Sequence, residues 1–265
     1  NNEFESETSY RLKEYKFLTD EESNDENLVF ERIVNEELSE FGINYISAIR
    51  RLKVTTVQIA YTRQEPIEND VFLLANHDEE ESRNVIAKYT SDQGKNTEYL
   101  PAIESYGEGI FIALDEDRIT QWYLDGENHP RFSKRLEQLF KNCKNNNRKQ
   151  IRDKFLSKKH LAKFVLVHTL SHVLIKELEF LCGYPSTSLN ERLFINEDFM
   201  QGLIIYTVAG SEGSYGGLVS QANDPSLNNL LKSAMYRAND CASDPICYNT
   251  QDGQGIGGLN MAACY

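Results

Sequence analysis

The chain predicts an α+β fold: a mixed α/β protein built on a central buried helix, with a zinc-ribbon-like cysteine tail. Three observations lead there. From Lys163 to Leu181 apolar residues occur nearly all the way round a helical wheel, Phe164, Val165, Leu166, Val167 and Leu174 among them, which is the pattern of a helix with neighbours on most sides. Gly202 to Val208 (GLIIYTV) is a short apolar run closed by Ala-Gly-Ser-Glu-Gly, a strand expected in the interior of a sheet. Beyond Asn239 the periodicity gives out and Cys, Gly, Asn and Asp take over, so the tail needs something besides a core to fix it.

A chain of 265 residues, 40% of them hydrophobic, can fill a substantial core. No apolar run reaches the roughly 18 to 20 residues of a membrane span, and Asn1 opens no signal-peptide pattern. Five unevenly spaced cysteines argue against a secreted disulfide framework and for reduced thiols or a metal site. The expectation is a cytoplasmic protein without a membrane segment. The chain starts without Met and stops directly after a motif, as a trimmed piece of a longer protein would.

The elements follow in order. The first thirty residues are rich in Glu, Asp, Asn and Ser around the amphipathic fragment YRLKEYKFL, and are expected to be either a loosely docked arm or a helix held by a partner, adding little core. Glu26 to Leu52 mixes helical and other spacings. Val54 to Tyr61 is β-branched and aromatic without a breaker and predicts a strand. Leu100 to Glu104 and Gly109 to Leu114 predict two strands joined tightly through Gly107 and Gly109. Arg131 to Lys144 has helical spacing, and Asn145-Asn146-Asn147 breaks it. That tract is the expected boundary between an N-terminal α/β part, residues 1–145, and a C-terminal domain, residues 146–265. Gly183 and Pro185 stop the core helix. Ser188 and Glu191 match a capping box, which predicts a second short helix with Arg192 near its start. Asp224-Pro225 predicts another, Asp as N-cap and Pro at the first helical position.

The net charge of −13 argues against general attraction to nucleic acid. Arg131 to Lys163 stands apart: twelve Lys/Arg against two acids give it +10, which leaves −23 for the rest. Basic runs on amphipathic helices are commonly solvated faces, but this contrast also suits a phosphate backbone or an acidic partner, with Lys141, Lys144, Arg148, Lys149 and Arg152 as candidate contacts.

Cys241, Cys247 and Cys264 place three thiols in a segment with few other means of folding, and structural zinc takes four N or S ligands. The alternative is three reduced thiols. Cys143 and Cys182 are expected to be ordinary buried ones. His168 and His172, four residues apart, share one face of the core helix. They have the H-x3-H spacing of zinc metalloproteases but carry Thr169 where those enzymes place the catalytic glutamate. A hydrogen-bonded core network is the favoured reading; the alternative is a metal-dependent hydrolase with Glu108, Glu191 or Glu212 as third ligand. Ser211 to Gly217 is glycine-rich but lacks the Lys-Ser/Thr of a phosphate loop, and Glu212 would repel phosphate.

Several of these stretches also carry a resemblance. HTLSHVLIKELEFLCGYPSTSLNER, IIYTVAGSEGSYGGLV, CASDPIC and LNMAAC resemble the C-terminal domain of DrmB-type proteins of the DISARM anti-phage system and, more distantly, of MrfA-type DNA-repair helicases. The likeness covers about residues 160 to 265, and YLPAIESYGEGIF extends it upstream. It implies a non-catalytic subunit that docks on a DNA helicase or translocase and meets DNA through the complex. It implies motif roles for His168, His172, Glu191, Arg192 and Glu212, and a fourth zinc ligand beyond Tyr265. The absence of a complete Walker motif agrees with an ATPase supplied by the partner.

Overall fold

The computed structural model describes residues 7–57, 101–146, 149–185, 188–197, 199–207, 217–222 and 225–239. Helix α1 is Glu7–Leu18, followed by strands β1 Glu22–Asn24, β2 Leu28–Ile33, β3 Ile43–Val57 and β4 Ala102–Leu114. Helices α2 Glu116–Glu127, α3 Pro130–Lys144, α4 Lys149–Lys154 and α5 Lys158–Cys182 come next. Strands β5 Leu189–Ile195 and β6 Gln201–Thr207 and helices α6 Gly217–Gln221 and α7 Ser226–Arg237 complete the order. Among the described residues six strands form one antiparallel sheet in the order β1-β2-β3-β4-β6-β5, so strands from both sides of the Asn tract share it.

Period-two alternation sorts the two faces. Ile110, Ile112 and Leu114 of β4, with Leu203 and Ile205 of β6, pack against Val167, Val173, Leu174 and Leu178 of α5 and Leu227, Leu230 and Leu231 of α7. Phe111, Ala113, Phe194 and Ile204 point the other way, onto Tyr15 and Leu18 of α1. A third cluster of Leu136, Leu139, Cys143, Phe155, Leu161 and Ala162 joins α3 and the loop after α4 to the first turns of α5. Helix α5 meets helices along its first turns and the sheet together with α7 further on, while Phe180 and Leu181 at its end are exposed. Ser157 accepts from the His160 N–H at its start and Gly183, φ 71°, ends it in the left-handed conformation.

The expected core helix, interior strand and basic helix are all present. Four expectations are corrected. The N-terminal segment is not a peripheral arm: Tyr15, Leu18 and Phe30 are buried, and Tyr15 sits edge-on to Phe111 at 5.9 Å. Residues 102–114 form one strand, not two. Gly107 and Gly109 serve close approach to β6, since a Cβ on Gly107 would lie 1.7 Å from the Thr207 carbonyl oxygen. The predicted helix after Ser188 is strand β5, because pairing with β6 buries Leu189, Leu193 and Ile195 against one layer and Phe194 against the other; tertiary burial overrides the local capping pattern. Helix α7 begins one residue later than expected, with Pro225 at the N-cap position rather than inside the first turn. No helix among the described residues is long and apolar enough to cross a membrane.

Candidate functional site

Several polar side chains of α5 meet partners from other elements. Lys163, 1% exposed, reaches Glu116 at the start of α2, Nζ to Oε2 2.5 Å. Glu177, equally buried, accepts from Arg237 Nε of α7 at 2.8 Å. Between them, on the side facing β5, stand His168 and His172, their rings perpendicular with centroids 4.6 Å apart. Glu191 reaches them because it shares parity with Leu189 and Leu193 and so projects to the helix side of β5. Its neighbour Arg192 necessarily projects to the opposite face, where it pairs with Glu14 of α1. A helical course through Ser188 to Leu193 would have put both side chains elsewhere.

One carboxylate oxygen serves both imidazoles. Glu191 Oε1 lies 3.2 Å from His168 Nε2 and 3.4 Å from His172 Nε2, the second distance beyond the usual range of N–H···O hydrogen bonds. Glu191 Oε2 and His168 Nδ1 are buried and without hydrogen-bond partners. Burial by itself would raise the Glu191 carboxyl, but hydrogen bonding to His168 and His172 and their electrostatic influence outweigh it and hold the group at about 2. The three side chains remain a quarter to a third exposed, so the cluster lies at the rim of the core, reachable from solvent. Of the three carboxylates expected as possible partners, Glu191 meets the histidines. Glu108 is buried in β4, where it accepts from the Tyr184 hydroxyl at 2.7 Å and the Leu218 N–H at 3.2 Å. Glu212 lies outside the described residues.

The basic segment divides. Lys144 donates to the backbone carbonyls of Arg152 at 3.1 Å and Phe155 at 2.8 Å, tying the end of α3 to the end of α4. Its ammonium is spent on this fold contact. Lys141 is exposed and lies 3.4 Å from Glu137, which Lys158 also contacts. Arg152 is half-exposed beside Asp153 at 3.9 Å. Arg148 and the side chain of Lys149 lie outside the described residues, as do Cys241, Cys247 and Cys264. Cys143 is fully buried and Cys182 half-buried, neither in a disulfide; burial first and nearby Glu108 second push Cys182 up to about 11.

Sequence reasoning singled out the histidines but not the ion pairs of α5. The signal for those was available: Lys163 and Glu177 interrupt an otherwise apolar helix, and a charge inside such a run demands a partner.

No family model matches the chain. Over 226 residues, 84% of its length, it is 31% identical to a DISARM protein, DrmB, of Bacillus paralicheniformis, and it spans 36% of that protein's length.

Proposed function

For a chain that is DrmB-like over most of its length, we propose the role of a non-catalytic subunit in a DISARM-like anti-phage complex. In this reading it docks on a DNA translocase and helps form or gate the DNA channel, while the partner performs ATP hydrolysis. The observation that carries the reading is the 31% identity to DISARM protein DrmB over 84% of this chain. The charge contrast supports the DNA-facing part: +10 between Arg131 and Lys163 on a body of −23 concentrates a positive field on the α3 to α5 layer. Lys141 and Arg152 are the exposed cations best suited to phosphate, whereas Lys144 is a fold contact. Beyond Asn239, thiolates of Cys241, Cys247 and Cys264 would supply three ligands of a structural zinc that orders the tail, so Cys241→Ser should release metal while the core stays folded.

The test is co-purification from the native host, with a helicase expected at equal stoichiometry. Lys141, Lys149 and Arg152 are then changed to Gln in that complex. If all three contact phosphates, the slope of log K against log salt flattens by about 2 to 3 units, from roughly 0.9 per duplex contact or 0.7 per single-strand contact. An unchanged slope in an intact complex removes the DNA-contact part. Recovery of the chain without any translocase removes the docking part.

A further inference from the structure

We propose that His168, His172 and Glu191 form a binding site for a divalent ion of the zinc class, held by His168 Nε2, His172 Nε2 and the Glu191 carboxylate, with the fourth position left to solvent. The site is independent of the tail cysteines and of the DISARM role.

Three features carry it. First, the ligand types are right, and one donor atom from each of the three residues lies within 4.8 Å of the other two. Two imidazoles and a carboxylate are a ligand set that zinc accepts. Second, the two spacings from the carboxylate to the imidazoles suit tetrahedral ligands. Metal–ligand bonds of about 2.0 to 2.1 Å put tetrahedral ligands about 3.3 to 3.4 Å apart, whereas an octahedral edge would be about 3.0 Å. The observed separations are 3.2 and 3.4 Å. Third, hydrogen bonding alone leaves the cluster incomplete. Two donors converge on Oε1 while Oε2 is buried and unanswered, although two histidines and two carboxylate oxygens would allow each oxygen its own donor. A cation answers both oxygens through one ion, because a carboxylate can coordinate through either or both.

The fold supplies the arrangement without strain. The histidines are fixed at i and i+4 on the core helix, and Glu191 comes from a strand whose alternation aims it at that helix. A bound ion would thus fasten the edge strand to the core helix. Thr169 stands where the metalloprotease pattern requires a glutamate, so the assignment is of binding and not of hydrolysis. Coordination through Nε2 leaves the His168 proton on Nδ1, which has no hydrogen-bond partner. Loss of such an outer partner weakens metal sites by about 10- to 100-fold, so the site is weaker than a fully supported one.

The experiment uses the full chain, stripped with chelator and reloaded with Zn(II) or Co(II) alone. The native chain should take up one more Co(II) than Glu191→Gln, and that extra ion should give visible bands without thiolate charge transfer, which separates it from the cysteine tail. Zn(II) at a hundredfold excess over its Kd should raise the unfolding midpoint by about 5 to 11 °C relative to the same addition to Glu191→Gln. Equal uptake and equal midpoint shifts in the two chains overturn the proposal and leave a plain polar network. Should Glu191→Gln fail to fold, nitrogen-15 NMR of the native chain decides. Zinc-dependent shifts at the ring nitrogens of both His168 and His172 support the site, and anything less overturns it.

Discussion

Arg237→Ala should destabilise the chain more than its surface position suggests, and adding Glu177→Gln should then restore part of the loss. Arg237 is half-exposed, but the carboxylate it meets at 2.8 Å is 3% exposed and enclosed between α5 and α7. Truncating the arginine leaves that charge buried without its cation, a class of change that costs about 3 to 5 kcal/mol. Water can reach the vacated arginine site, so the lower end applies, about 3 kcal/mol. In a chain of this size roughly 2 to 4 °C of midpoint accompanies each kcal/mol, giving a fall of about 6 to 12 °C. Glu177→Gln alone keeps the shape and an acceptor for Arg237 Nε and loses the charge assistance, about 1 to 2 kcal/mol. The double variant strands an amide instead of a carboxylate and should therefore be more stable than Arg237→Ala by about 1 to 2 kcal/mol, although it carries one more substitution. Urea unfolding of the four chains, followed by circular dichroism, gives the cycle. A double variant no more stable than Arg237→Ala, outside an error of about 0.5 kcal/mol, would refute the claim that the buried carboxylate is what Arg237 serves.

Two glycines should part company. Gly107→Ala puts a Cβ within 1.7 Å of a backbone oxygen and must push β4 from β6, so little soluble protein is expected. Gly183→Ala meets nothing within 4 Å and bears only the left-handed backbone cost of about 1 to 2 kcal/mol. Expression yield and thermal midpoint compare them, and equal losses would contradict the close-approach role of Gly107. Cys182, pushed up to about 11, carries almost no thiolate at pH 8 and becomes reactive only as the pH climbs toward that value. Mass-spectrometric mapping after iodoacetamide at pH 8 and pH 10 should find Cys182 labelled slowly at the first and faster at the second; rapid labelling at pH 8 would show a different environment.

The long regular elements were legible because their signals are dense. Apolar residues on every side of Lys163 to Leu181 leave little alternative to a buried helix, and GLIIYTV leaves little alternative to an interior strand. The failures share one cause: a local pattern with two physical meanings. Gly107 and Gly109 suit a tight turn and also suit two backbones in contact, and nothing within LPAIESYGEGIFIAL decides between them. Ser188 and Glu191 fit a helix cap, yet the alternation that follows them is satisfied only when β6 lies alongside. Tyr15 and Leu18 sit in a charged segment, and the hollow they fill is lined by Phe111 and Phe194, which are far away in the chain. The histidine pair was visible as a pair. Its carboxylate was named among three, but choosing it required knowing that Glu191 lies on a strand.

The same strand has a bearing on solubility. Among the described residues β5 ends the sheet on one side and β1 ends it on the other, and a sheet margin offers unpaired backbone groups on which a second polypeptide can extend the sheet. The β1 margin is blunted by shortness, three residues with an acid at its head. The β5 margin is seven residues long and is blunted instead by ionised groups: a stranger laid along it would have to accommodate Glu191 on one side and Arg192 on the other, each already committed to a charge partner within the molecule. Replacing that pair by threonine and valine would keep the strand's propensity while removing this guard, and would turn the margin into a template for aggregation.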